Sequence, residues 1–235
     1  MTEAANGLGQ ALAAEFIGTF ALIFIGAGAA IAFGANHDPA VAFAHGLTIL
    51  VFIAAFGDIS GGHFNPSVTT GLAVAGVFPS RRVVPYLIAQ LAGAIVAAWL
   101  LWLAFGGSVN NLGAILVDTQ RITYAGAFMF EAVGTWFLCS VVLHTAVRSP
   151  SRLAPAAIGM TITLCILGFG VVTGGSINPA RTIGPALAAG LYREVPLYVA
   201  AQLVGAIFAG GMYRWFWKQP DRLLSVPAPG GVTAE

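Results

Sequence analysis

The sequence of 235 residues carries very little charge, since only 8% of its residues are Asp, Glu, Lys or Arg. Its formal net charge of +1 provides no basic surface for nucleic acid. Cysteine is also scarce, and Cys139 and Cys165 both lie in apolar stretches, so neither a disulfide framework nor a zinc site is predicted. No nucleophile, general base or ligand cluster stands out. We therefore expect neither an enzyme nor a cofactor.

Apolar residues make up 58% of the sequence, which excludes an ordinary soluble domain. Six apolar stretches are close to the ~20 residues that cross a bilayer, at 11–33, 41–59, 83–105, 124–147, 154–172 and 195–217. Two further stretches are shorter, at 66–77 and 179–189. A helix of about eleven residues is ~16 Å long, roughly half of the hydrocarbon core. The short stretches are therefore predicted to enter the bilayer and return.

Both short stretches begin with the same dipeptide. The sequence reads SGGHFNPSV in the first copy and TGGSINPAR in the second, with Asn65 and Asn178 each followed by proline. Asn caps the first backbone N–H groups of a helix, and proline fits the next position because it has no N–H. Helix starts within apolar sequence are typical of channels and transporters built from inverted repeats.

The rest of the chain repeats as well. The Glu15-x-x-Gly-Thr motif of the first span recurs at Glu131 in the fourth, and the Gln90-Leu-x-Gly-Ala motif of the third recurs at Gln202 in the sixth. We interpret this as one duplication within a single structural domain. Its halves are residues 1–120 and 121–235. Each half has three spans and a half-helix, so the second half enters from the opposite side and the half-helices meet near mid-bilayer.

Basic residues indicate the orientation. With a cytoplasmic N-terminus, seven of them face the cytoplasm: Arg81, Arg82, Arg148, Arg152, Arg214, Lys218 and Arg222. Only Arg121 and Arg193 then face outward. This distribution follows the positive-inside rule. We expect a protein of the cell's inner membrane with both termini in the cytoplasm.

The paired motifs predict a mechanism for a pore. Two half-helix N-termini that face each other direct the positive ends of two dipoles at the pore centre, which opposes cations, including hydronium. The amides of Asn65 and Asn178 can both donate to the oxygen of one water molecule. Its hydrogens then point along the pore, which interrupts the chain of proton transfer. Capping alone would account for one such motif, but two in register favour a pore.

With these motifs, the sequence resembles the aquaporin, or major intrinsic protein, family. The resemblance covers residues 10–218 and rests on SGGHFNPSV, on GGSINPARTIGPA, on the two Glu-bearing spans and on the six-plus-two pattern. It implies an all-α membrane protein, a right-handed bundle of six tilted helices with two half-helices. It also implies one pore per protomer and a homotetramer. One departure is Ser67, where the family usually has Ala, which leaves the packing at mid-pore open.

The resemblance also implies an outer selectivity filter of His45, Ile166, Gly175 and Arg181. Strict water channels usually carry Phe and His at the first two positions, and glycerol channels carry Trp and Phe. Glycerol channels also carry Asp after the Arg, where Thr182 stands here. The His–Ile–Gly–Arg set is similar to that of plant vacuolar-membrane aquaporins that pass ammonia with water. We therefore expect a passive channel for water and ammonia that excludes protons and ions.

Simpler interpretations of these four residues remain open. Arg181 could tie down its loop, although an intramembrane charge usually faces a wet cavity. His45 could be a helix histidine satisfied by a neighbour, and Gly175 could serve only as a turn. Ile166 is singled out by the resemblance alone.

Three other polar residues have alternative roles. The resemblance implies that Glu15 and Glu131 accept hydrogen bonds from the re-entrant loops, whereas buried carboxylates in a secondary transporter would couple protons. His63 is expected to line the cytoplasmic vestibule or to pack within its loop. The competing functions are a facilitator of glycerol or metalloid acids, a proton-coupled transporter and a junction protein with little conductance.

Overall fold

A computed structural model describes residues 7–34 and 38–217. Lys218, Arg222 and both chain ends, on which the predicted orientation partly depends, lie outside the described residues. Within the described ranges the regular structure is entirely helical, with no β-strand.

The described residues form six long α-helices and two short ones, with a 3-10 turn at Val109–Gly113. In chain order they are α1 (Leu8–Phe33), α2 (Pro39–Ser60), α3 (Pro66–Val74), α4 (Ser80–Phe105), α5 (Tyr124–Val142), α6 (Ala154–Thr173), α7 (Pro179–Ala189) and α8 (Val195–Trp217). A π-helical turn, Leu143–Arg148, extends α5. Six helices of the described chain are long and apolar enough to cross a membrane. They correspond to the six predicted spans, and α3 and α7 to the two half-helices.

The first half-helix is shorter than its predicted range of 66–77. It ends at Val74 because Gly76 takes a positive φ of 71° that a residue with a side chain rarely adopts. The backbone N–H of Val77 then closes the helix end by donating to the carbonyl of Leu72, at 3.1 Å. The second half-helix has the predicted bounds.

Glycines allow the long helices to cross closely at equivalent positions in the two halves. α1 packs on α4, and α5 packs on α8. A Cβ added at Gly93 would lie 2.4 Å from the carbonyl oxygen of Phe16, and one at Gly205 would lie 2.1 Å from that of Ala132. Only glycine permits such backbone approach, which is a common way for helices to pack in lipid.

The outward faces of the bundle are apolar, and several polar side chains are buried inside it. Ile88, Leu103 and Leu164 are exposed over 62%, 70% and 64% of their surfaces, whereas Glu15 and Glu131 are fully buried. This distribution is the reverse of that in a soluble domain, and it fits a surface that contacts lipid.

Candidate functional site

The N-termini of the two half-helices meet through reciprocal hydrogen bonds. The side-chain amide of Asn65 donates to the carbonyl oxygen of Ile177, and that of Asn178 donates to the carbonyl oxygen of Phe64, both at 2.9 Å. Each asparagine therefore reaches across to the loop of the other motif. The structure brings the two predicted midplane residues together.

The same asparagines cap their own helices. Asn65 Oδ1 accepts from the N–H of Ser67 at 2.8 Å, and Asn178 Oδ1 accepts from the N–H of Ala180 at 2.9 Å. Each side chain thus uses its oxygen for the cap and one N–H for the opposite loop. An amide carries two N–H groups, so these hydrogen bonds use only one of the two on each asparagine.

The loop before Asn65 is held by Glu15 of α1. One carboxylate oxygen accepts from the hydroxyl of Ser60 (2.7 Å) and the backbone N–H of His63 (2.9 Å). The other accepts from the backbone N–H of Phe64 (2.7 Å) and the amide of Gln90 (2.6 Å). Glu15 therefore receives two backbone and two side-chain hydrogen bonds.

The loop before Asn178 is held in the same way by Glu131 of α5. One oxygen accepts from the hydroxyl of Thr173 (2.8 Å) and the N–H of Ser176 (2.9 Å), and the other from the N–H of Ile177 (2.8 Å) and the amide of Gln202 (3.0 Å). An ionised carboxylate accepts only, which suits four donors.

These carboxylates hold two backbone turns that would otherwise be unfavourable. Phe64 and Ile177 have positive φ values of 47° and 44°, although neither is glycine. Such a conformation costs about 1–3 kcal/mol and persists where surrounding contacts impose it. The turns leave the carbonyls of Phe64 and Ile177 bonded to the opposite asparagines.

Arg181 and His45, two of the predicted filter residues, are in direct contact. The Nε–H of Arg181 donates to Nε2 of His45 at 3.0 Å, and Nδ1 of His45 lies 2.9 Å from the carbonyl oxygen of Val41. Because a carbonyl only accepts and a guanidinium only donates, these partners set the tautomer with the proton on Nδ1. Both ring nitrogens of His45 are therefore engaged within the protein, and neither is left for a passing molecule.

Ile166 and Gly175, the other two predicted filter residues, also touch. Gly175 has a φ of +60°, and a Cβ added there would lie 3.0 Å from Cα of Ile166. Its N–H donates to the hydroxyl of Thr173 at 3.1 Å. Gly175 is thus a turn glycine, and Ile166 lies against the side on which a Cβ would stand.

His63 lies against a cavity next to the first loop. Its ring packs against those of Phe78 and Tyr86, with centroids 4.7 and 5.2 Å apart, and its Nδ1 is 3.0 Å from the hydroxyl of Thr69. The cavity has a volume of about 330 Å³ and is also lined by Arg82. His63 therefore packs against neighbouring rings and also borders this cavity.

Two tyrosines that support the loops were not predicted from the sequence. The hydroxyl of Tyr86 donates to the carbonyl of Ser60 at 2.8 Å, and that of Tyr198 donates to the carbonyl of Thr173 at 2.7 Å. Each tyrosine precedes the repeated Gln-Leu-x-Gly-Ala motif by four residues, so extending the repeat comparison would have found them.

Comparison with known proteins is consistent with this geometry. Residues 3–214 match the family model described as Major intrinsic protein. The chain belongs to this family. It is therefore an integral membrane channel of the aquaporin type and not an enzyme.

Several curated relatives are similar over most of the chain. Probable aquaporin AqpM of Archaeoglobus fulgidus is 38% identical, over 90% of this chain and 98% of the relative. Aquaporin Z of Bradyrhizobium diazoefficiens is 37% identical, over 91% and 95%. Aquaporin NIP1-1 of Zea mays is 37% identical, over 87% and 73%.

A solved structure shares the fold. The aquaglyceroporin from Plasmodium falciparum superposes with a TM-score of 0.76 over 93% of this chain and 98% of that chain, at 23% identity. The aquaporin-like bundle predicted from the sequence is therefore confirmed. At this identity, the match concerns the fold and not the solute.

Proposed function

We propose that this channel passes water and ammonia and excludes protons and other ions. The observation that carries the proposal is the reciprocal pair of hydrogen bonds between the Asn65 and Asn178 amides and the opposite loops. Their second N–H groups would both donate to one water oxygen. The hydrogens of that water would then point along the pore, and the chain of proton transfer would be interrupted.

Fixed positive charge supports the exclusion of cations. Each half-helix contributes roughly +0.5 of an elementary charge at its N-terminus. Arg181 adds a full charge in the first turn of α7, where it is only 3% exposed and bonded to His45. A cation in this narrow region would lose hydration and meet repulsion from both features.

The filter is proposed to consist of His45, Ile166, Gly175 and Arg181, and it favours ammonia for a physical reason. Ile166 and Gly175 together offer an aliphatic side chain and a residue with no side chain where strict water channels have a ring. His45 keeps its nitrogens bonded to Val41 and Arg181, so it adds no competing polar site. A wider and less polar wall lowers the barrier to a neutral molecule such as ammonia.

Glu15 and Glu131 are proposed to support the loops. Each is fully buried and has four donors, two of them backbone N–H groups of a re-entrant loop. A proton-coupling carboxylate needs access to water and tolerance for both protonation states. The saturated and buried arrangement favours a static role and argues against the transporter alternative. His63 is proposed to line the cytoplasmic vestibule.

We further propose that residues 1–120 and 121–235 form inverted repeats, and that the chain assembles as a homotetramer in the inner membrane with cytoplasmic termini. The matching roles of Glu15 and Glu131 support the repeats, and the basic residues support the orientation. Native mass spectrometry would test the tetramer, and labelling of a cysteine introduced at an exposed loop residue such as Arg152 or Arg121 would test the orientation.

The proposed function is tested by stopped-flow light scattering on proteoliposomes with water, ammonia and glycerol gradients. We expect water and ammonia permeability above that of empty liposomes and little glycerol permeability. Ammonia permeability that is equal with and without the protein would refute the ammonia proposal. Saturable uptake driven by a proton gradient would favour a transporter.

The His45→Phe variant tests the filter in the same assay. This substitution introduces the residue that strict water channels usually carry and removes the acceptor for Arg181. We expect ammonia permeability to fall more than water permeability. An unchanged ratio of the two would show that His45 does not contribute to selectivity.

A further inference from the structure

Gly26 of α1 lies directly behind the ring of His45. It is buried, and it belongs to none of the motifs on which the proposed pore depends. A Cβ added at Gly26 would lie 2.5 Å from both Cδ2 and Nε2 of His45 and 2.7 Å from Cε1. Such distances are well below van der Waals contact. The ring of His45 therefore occupies the space that any side chain at position 26 would need.

The His45 ring has few ways to move aside. Its Nδ1 is held by the carbonyl of Val41 one turn earlier in α2, and its Nε2 is held by Arg181 of α7. Gly26 lies on the remaining side, in α1. Three elements therefore fix the ring, and an added side chain on α1 would displace it from its hydrogen bonds to Val41 and Arg181.

We propose that Gly26 is a positioning residue of the selectivity filter, because its lack of a side chain seats the His45 ring against α1. Through the bond between His45 and Arg181, it also sets the place of the guanidinium and hence the open width of the filter. This inference rests on the proposed filter roles of His45 and Arg181. Gly26 itself is not expected to touch a passing molecule.

Gly28 provides a matched control on the same helix. A Cβ added there would have Cδ2 of Leu101 as its nearest neighbour, at an ordinary contact distance of 3.4 Å. Both glycines lie within α1, so conversion to alanine changes the free energy of helix formation by the same intrinsic amount at each. They differ in that only Gly26 faces a proposed filter residue.

The experiment compares wild type, Gly26→Ala and Gly28→Ala in proteoliposomes, with permeability normalised to the amount of inserted protein. We expect Gly26→Ala to lower water and ammonia permeability about tenfold, which corresponds to a barrier increase of about 1.4 kcal/mol. Gly28→Ala should match wild type. Equal permeability of the two variants would overturn the proposal.

The same substitution in a His45→Ala variant shows whether Gly26 acts through His45. In His45→Ala, the ring that a methyl group at position 26 would strike is absent. Adding Gly26→Ala to this background should therefore change neither permeability nor the melting temperature in detergent. A loss of the same size in both backgrounds would show that Gly26 acts through the backbone of α1, contrary to the proposal.

The melting temperatures separate this inference from the proposed function. If wild type conducts neither water nor ammonia, the proposed function fails. The melting temperatures of wild type, Gly26→Ala, His45→Ala and the double variant still decide whether a side chain at position 26 and the His45 ring compete for space. If Gly26→Ala does not accumulate as folded protein, recovery of the double variant would support the proposal, and failure of both variants would overturn it.

Discussion

Replacing Glu15 by glutamine distinguishes a loop-supporting carboxylate from a proton-coupling one. Glu15 accepts four hydrogen bonds with no exposed surface. In Glu15→Gln, one oxygen becomes an NH₂ group. The hydroxyl of Ser60 can rotate to accept from it, and Gln90 can turn its Oε1, which has no hydrogen-bond partner among the described residues. The backbone N–H groups of His63 and Phe64 cannot adapt.

The cost of this substitution follows from the geometry. The two oxygens of Glu15 bond different backbone N–H groups, so either orientation of the new amide leaves the N–H of His63 or of Phe64 facing a donor. A lost hydrogen bond to a charged acceptor costs about 1.5–3 kcal/mol, and the buried unpaired N–H adds about 1 kcal/mol or more. At about 2–4 °C per kcal/mol, a loss of about 3 kcal/mol lowers the melting temperature by about 6–12 °C.

The assay is thermal unfolding in detergent, followed by water permeability of the surviving folded protein. Glu194→Gln is the control, since Glu194 also accepts from a backbone N–H, that of Val117 at 2.7 Å, but is only partly buried. Water can replace its lost hydrogen bond, so we expect little change. A Glu15→Gln variant with the same melting temperature as Glu194→Gln would refute the loop-support argument. If Glu15→Gln keeps its stability but loses proton-driven uptake, the result would favour a transporter.

Two further substitutions test residues of the proposed pore, one through stability and the other through stability and permeability. Ser67→Ala should raise the melting temperature or leave it unchanged, because Ser67 Oγ is buried without a hydrogen-bond partner among the described residues, at a cost of about 1 kcal/mol; a clear decrease in thermal unfolding would contradict this. Gly175→Ala should lower both stability and permeability, because its φ is +60° and the new Cβ would lie 3.0 Å from Ile166. Gly190→Ala is its control, with a φ of +75° and no contact within 4 Å in the described part of the chain, so it should lower stability alone. Equal loss of permeability in stopped-flow measurements would exclude a filter role for Gly175.

Hydropathy and capping predicted most of the architecture because both are local properties. Each long helix corresponds to an apolar stretch, and both half-helices begin at the predicted asparagines. The predicted end of the first half-helix was wrong, because the apolar pattern continues to residue 77 whereas Gly76 ends the helix. Hydropathy does not report the backbone conformation of a single glycine.

The predicted filter residues were identified by resemblance, but their partners were not. Nothing near His45 in the sequence indicates that Arg181 will take its Nε2 or that Gly26 will lie behind its ring. Likewise, the sequence predicted that the Asn65 and Asn178 amides would donate into the lumen, but not that one N–H of each would bond the opposite loop.

The sequence alone was enough to predict six apolar spans, the residues at which two short helices start and the residues that recur in both halves. These properties depend on the residues in a short window and on their order. The pairing of side chains depended on the folded structure: His45 with Arg181, Asn65 with Ile177, and Gly26 with His45. These contacts join residues far apart in the chain. They depend on how closely and at what depth the helices cross, which is set by the packing of all of them together.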